Sequence, residues 1–172
     1  MARLGDLVDF ARAHGLKIGT ITDLIHYRSR HETLIERTLS KPVRSRHGQF
    51  TLHAYTDRTS NEVHLVLTKG EIRADKETLV RVHEPLSVVD FLDPDGGRHT
   101  FSLDLAQAAL ARADAGVIVL LHRPESGQDI LATLREPIAA QRPAARWDPR
   151  TYGIGAQILR DLGVGKMKIL SS

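Results

Sequence analysis

The chain contains no cysteine. That excludes disulfides and thiolate-held metals, and it accords with a cytoplasmic protein. Aromatic residues are scarce, at 5% with a single Trp, so no stacking platform for nucleobases accompanies the basic residues. No stretch reaches the ~18 consecutive apolar residues of a membrane span, and no secretory leader pattern opens the chain. The net charge is only +3, and bases alternate with acids, so there is no cationic stripe. Neither nucleic acid nor a membrane is therefore expected as a partner. There is no internal repeat and no low-complexity tract. What is present is 172 residues, 41% of them hydrophobic, enough to bury one core with a small appendage.

Periodicity gives the elements. Leu4, Leu7, Val8 and Phe10–Ala11 share an apolar helix face, and Gly15 closes that helix. Thr22 or Asp23 is read as the cap of a second helix carrying Leu24, Ile25 and Tyr27. Residues 1–31 are thus helical, with an extended piece near 18–20. The charged stretch 28–40 is either the end of that helix or a linker. GQFTLHAY and EVHLVLT alternate on either side of DRTSN, which predicts a hairpin. TLVRVH over 78–83 is a further strand, and Ser87–Leu92 is expected to extend the sheet. Phe101–Arg112 has a helical apolar face. Val117–Leu121 is a continuous apolar run, predicted as a strand buried on both sides. Ile130–Ala140 reads as a weaker helix broken near Pro137, followed by a loop. The expected class is α/β (α+β): a mixed β-sheet flanked by helices, with a short N-terminal helical segment.

The most informative run is Trp147–Leu170, WDPRTYGIGAQILRDLGVGKMKIL. Pro149 and Gly153 mark a turn, Ile154, Ile158, Leu159 and Leu162 mark a helix, and Gly163 and Gly165 end it. Met167–Leu170 is expected to be a short buried strand. A turn holding Asp148 and Arg150 before a helix N-terminus suits a phosphate, because free amides and the helix dipole favour anions there. A capped turn with a surface ion pair is the structural alternative.

The same run resembles the late motif of GTP cyclohydrolase II, D-x-R-D-Y-G-x-G-A-Q-I-L-x-D-L-G. Asp148, Arg150, Tyr152, Gly153, Gly155, Ala156, Gln157, Ile158, Leu159, Asp161, Leu162 and Gly163 stand in register. Thr151 replaces the second Asp, and Ser171 stands where the family has Thr. Later family residues, including a substrate-binding Lys, lie beyond Ser172. The opening segment resembles the C-terminal tail of 3,4-dihydroxy-2-butanone 4-phosphate synthase, which in bifunctional riboflavin-biosynthesis proteins precedes the cyclohydrolase. Met1 matches an internal Met of that pattern. The resemblance divides the chain into a synthase tail at 1–37 and a C-terminally truncated GTP cyclohydrolase II-like domain at 38–172. The synthase's own phosphate- and metal-binding segments have no counterpart here, so no synthase activity is expected.

Carried over residue by residue, the resemblance implies catalytic roles for Asp148, as proton acceptor, and Arg150, as the group that attacks the α-phosphate. It implies substrate contacts at Arg81, His83, Arg123, Glu125 and Ser171. The family's zinc is held by three cysteines spaced C-x10-C-x-C after R-V-H-S-E. Those positions here are Leu86, Gly97 and His99. Two offer no side-chain donor, whereas a catalytic zinc takes three protein ligands. Without zinc nothing lowers the pKa of the attacking water toward neutrality. The R-x-E-G-R-x-I-G-L segment has also drifted: Arg123 and Glu125 remain, but Ser126-Gly127-Gln128 replaces the Gly-Arg pair. The expectation is a degenerate cyclohydrolase domain, structural or regulatory for the synthase half, with no zinc. It would retain weak GTP or phosphate binding, with Mg²⁺ accompanying a bound phosphate, and would form a homodimer. The alternative is an active GTP cyclohydrolase II, releasing formate and pyrophosphate from GTP. Nine histidines raise a rival metal site, from His53, His64 and His83 on neighbouring strands.

Overall fold

The computed structural model describes residues 3–85, 87–92, 101–122, 124–135 and 149–171. It divides into two compact units, residues 1–32 and 33–172.

The first unit is a pair of helices, α1 (Leu4–Ala13) and α2 (Ile21–His31). α1 ends in a Schellman turn. Gly15 sits at φ +63°, its N–H reaches Arg12 O, and Leu16 N–H reaches Ala11 O. α2 is capped by Thr20 rather than Thr22 or Asp23. Thr20 Oγ1 accepts from Asp23 N at 3.0 Å, and the Asp23 carboxylate accepts from Thr20 N. The expected apolar face of α1 exists but covers little of itself. Ala11 is buried, while Leu4, Phe10, Ile21, Leu24 and Tyr27 are each more than half exposed.

The second unit is built on a six-stranded mixed sheet in the order β1-β2-β3-β5-β4-β6. The strands are β1 (Ile35–Ser45), β2 (Gly48–Asp57), β3 (Val63–Lys69), β4 (Glu77–His83), β5 (Gly116–Leu120) and β6 (Lys166–Ile169). β1 to β3 form an antiparallel meander, β3 pairs antiparallel with β5, and β4, β5 and β6 are mutually parallel. The predicted β2–β3 hairpin is found. β5 is central and buried on both sides, as its unbroken apolar run requires. β1, in contrast, occupies sequence expected to be helix or linker. It is an outer strand, almost wholly exposed, and tolerates Pro42 because an edge position needs no donor on its outer side. A register shift between Arg37 and Leu39 leaves Thr38 outside the ladder; its hydroxyl donates to Ala54 O at 3.1 Å.

Helices cover the sheet on both faces. On one face α4 (Leu103–Arg112) brings Ala106 and Leu110 onto Phe50 and Ile118. Ser102 caps its start, its hydroxyl accepting from Leu105 N. Lys69 Nζ closes its other end, donating to Ala111 O at 2.6 Å and Ala113 O at 2.9 Å. On the opposite face α6 (Pro149–Asp161) packs Ile154, Ile158 and Leu159 onto Tyr55, Val66, Val80, Val117 and Val119. Pro149 opens α6 at its first helical position, so the expected Asp-Pro turn is already helix over 149–153.

Three further expectations are corrected. Ser87–Leu92 is not sheet: Val89–Leu92 forms the one-turn α3, because Asp90 accepts from Ser87 N and folds the segment back on itself. The weaker helix α5 runs over Gly127–Arg135, and its expected continuation to Ala140 lies outside the described residues. β6 is an exposed edge strand rather than a buried one.

Candidate functional site

β4 and β5 lie side by side and parallel, yet the chain leaves them toward opposite faces. From β4 it goes to α4 on the Phe50–Ile118 face, and from β5 to α6 on the Tyr55–Val119 face. Such a divergence opens a crevice beyond the carboxyl ends of the two strands, the usual ligand position in open α/β sheets. His83 ends β4 there, 2% exposed, and its carbonyl accepts from Leu121 N just past β5 at 2.9 Å. Glu125 follows; its Oε2 accepts from Val88 N at 2.9 Å, tying the loop after β5 to the loop after β4. A cavity of about 630 Å³ borders this end, with Val82, Glu84, Leu121, Tyr152 and Gly155 among its walls.

The sequence-predicted residues separate under this geometry. His83 ends β4 and Glu125 follows β5, at the carboxyl ends of the two strands, but neither lines the cavity. Arg150 lies in the first turn of α6, two residues before Tyr152 of the cavity wall. Asp148 and Arg123 lie outside the described residues, as do Leu86, Gly97 and His99. Arg81 shares the α4 face of β4 with His83 and is 9% exposed. Its guanidinium donates to Leu170 O at 2.9 Å and Phe101 O at 3.1 Å and lies over the Phe101 ring. Burial lowers its pKa. That arrangement ties β4 to the start of α4 and the end of β6. Ser171, exposed, follows the carbonyl that Arg81 holds.

The three-histidine alternative does not assemble. His53 and His64 share the α6 face with Tyr55 and Val66, whereas His83 alternates to the α4 face with Arg81. His53 is instead a cross-strand link, with Nδ1 2.7 Å from Ser40 Oγ and Nε2 3.0 Å from Thr68 Oγ1. His64 accepts from His122 N at 2.9 Å through Nδ1, and its Nε2 is buried without a partner among the described residues. Burial lowers the pKa of both rings, and Arg37 adds to the effect at His53. Among the described residues no group of three His, Cys, Asp or Glu is placed to hold a metal.

Sequence matching marked the C-terminal half of α6 but did not say what each residue does. Gln157, 3% exposed, accepts from Leu34 N at 2.8 Å and fixes the start of β1. Asp161 accepts from Tyr55 OH at 2.7 Å and from Arg37 Nε at 3.0 Å. Burial alone would raise the Asp161 pKa, but these donors outweigh it and hold the carboxyl below its ordinary value. Gly163, at φ +82°, forms a second Schellman turn, with its N–H on Arg160 O and Val164 N–H on Leu159 O. Gly165 is required for a different reason: any Cβ there would strike the Ala74 backbone.

The fold and crevice define a mixed α/β domain with helices on both faces and its candidate site at the carboxyl ends of β4 and β5. The chain belongs to the GTP cyclohydrolase II family, whose model matches residues 36–172. It is 50% identical over 170 residues to a 3,4-dihydroxy-2-butanone 4-phosphate synthase of Neisseria meningitidis, covering 99% of this chain and 46% of that protein. It is 36% identical over 189 residues to the riboflavin biosynthesis protein RibBA of Aquifex aeolicus, covering 100% and 45%. Among solved structures it is similar to RibBX of A. baumannii, a two domain 3,4-dihydroxy-2-butanone 4-phosphate synthase. There the TM-score is 0.68 at 40% identity, over 100% of this chain and 44% of that one. The chain thus spans less than half the length of the relatives it matches. No helix among the described residues is long and apolar enough to cross a membrane.

Proposed function

We propose that this is a GTP cyclohydrolase II-like domain that has lost zinc chemistry and serves the synthase half of a riboflavin-biosynthesis protein as a structural or regulatory domain. The observation that carries this reading is the donor set. Leu86 and Gly97 stand at two of the three zinc positions and supply no ligand atom, so the residues present do not fit the metal. No hydrolytic step is assigned through it. The duties of the retained residues support the same reading. Arg81 holds two backbone carbonyls, Glu125 holds the Val88 amide, and Gln157 and Asp161 brace β1 and β2. Each accounts for its own retention without a substrate. The apolar exposure of α1 and α2 supports their being the tail of a neighbouring synthase domain, because a two-helix unit with one buried residue among those described needs further surface to cover it.

The test is direct. The protein is incubated with GTP, Mg²⁺ and Zn²⁺, formate is followed, and bound zinc is measured by elemental analysis. No turnover and no stoichiometric zinc is the expected result; both together would establish the active-enzyme alternative. Titration with GTP and with pyrophosphate, repeated on Arg150→Ala, then separates a vestigial anion pocket from none. In a full-length protein, removal of the cyclohydrolase-like domain should alter synthase assembly or stability while leaving the chemistry of the folded synthase intact.

A further inference from the structure

The 630 Å³ cavity runs down the α6 face of the sheet, between α6 and the strands β4 and β6. Its floor and walls are apolar: Val80, Leu159, Val164, Met167 and Ile169 contribute. Its outer border is β6, which ends the sheet. Met167 is 46% and Ile169 60% exposed. Leu170 N donates to Val80 O at 2.8 Å. By the alternation of a parallel ladder, Lys166 and Lys168 also turn their main-chain groups toward β4, and Met167 and Ile169 turn theirs outward. The edge therefore offers backbone donors and acceptors beside an open apolar groove, the two requirements for strand addition.

Charge selects the occupant. Lys166 and Lys168 project from the side of β6 opposite the groove, and Arg160 lines the groove itself. Among the described residues none of these three cations makes an ion pair. A second copy adding its own β6 across a two-fold axis would set these lysines against the same lysines, which opposes pairing. A strand with acidic residues facing Lys166 and Lys168, and apolar residues facing the groove, satisfies the edge, the cavity and the charge together. We infer that the β6 edge and its groove receive an extended polypeptide segment of alternating acidic and apolar residues. This holds whether or not the crevice turns over GTP.

A fluorescein-labelled synthetic peptide, Asp-Ile-Glu-Val-Glu-Ile-Asp with blocked ends, is titrated against the 172-residue protein and followed by anisotropy. A second peptide carries Lys at every acidic position. The acidic peptide should bind saturably and weaken with salt, and the basic one should bind about tenfold less tightly. The double variant Lys166→Glu, Lys168→Glu should reverse that order. Met167→Pro removes an outward-facing donor where the sheet tolerates Pro; it should abolish binding of both peptides while the circular dichroism and melting temperature stay near those of the parent. Equal binding of the two peptides, no binding of either, or binding unaffected by the lysine reversal would overturn the inference. So would a dimer in sedimentation that the lysine reversal abolishes, since that would give the edge to a second copy.

Discussion

The two ends of α6 carry one continuous motif but do different work. At the C-terminal end each matched residue is committed to architecture. Ile158 and Leu159 fill the core, Gln157 and Asp161 brace the outer strands, and Gly163 turns the chain toward β6. At the N-terminal end Tyr152 is 65% exposed, and Arg150 precedes it in the first turn. A motif can thus persist where its matched residues serve packing. The retained pattern certifies the packing of α6 on the sheet first, and says less about turnover.

The largest test of this contrast is Ile158→Ala. The side chain is fully buried in the main cluster, so its truncation should cost about 2–5 kcal/mol in urea unfolding. Tyr152→Ala, at the other end, should stay within about 0.5 kcal/mol. Comparable losses at both sites would break the contrast.

Gln157→Ala comes next. It strands the Leu34 amide and should cost about 1–3 kcal/mol. Gly163→Ala, forced to a left-handed backbone, should cost about 1–2 kcal/mol.

The smallest expected effect is a pH dependence on the α6 face. His53 and His64 are held neutral in the fold, with pKa values lowered by burial. Unfolded, each titrates near about 6.5, so below that pH the unfolded chain binds more protons than the native one. The stability they contribute is complete above pH ~6.5 and declines as pH falls toward their native values. Thermal melts from pH 7.5 to 5.0 should show this decline, and His64→Gln should flatten it. A melting temperature that rises over that interval would contradict the assignment.

Legibility in the sequence followed burial. The β2–β3 hairpin, β5, α4 and the end of α6 bury one face or two, and their apolar periodicity shows it. β1 was hidden because it buries almost nothing. Its only full burial is at Ile35, and its sequence, IERTLSKPVRS, carries the charges and proline that a sheet edge tolerates. α3 was misread because Val88 and Val89 favour strand locally, while the deciding interaction is a side-chain oxygen of Asp90 on the backbone of Ser87. At the candidate site, the residue types were legible but their partners were not. Arg81 and His83 stand two apart on one strand, yet Arg81 is consumed by carbonyls of Leu170 and Phe101 that lie far away in the chain.

The position of β5 has a kinetic consequence. It is the seam where the antiparallel meander meets the parallel strands, pairing with β3 on one side and β4 on the other. The meander can form from neighbours in the chain, but closing either seam requires contacts across long loops, which are entropically slow to reach. Lys69 adds a clasp on the same side, reaching from β3 to the end of α4. The β5 amides should therefore be the last to gain protection in pulse-labelled refolding and the last to exchange from the native state. Earlier protection of β5 than of the β2–β3 hairpin would show that the halves are joined before either is built.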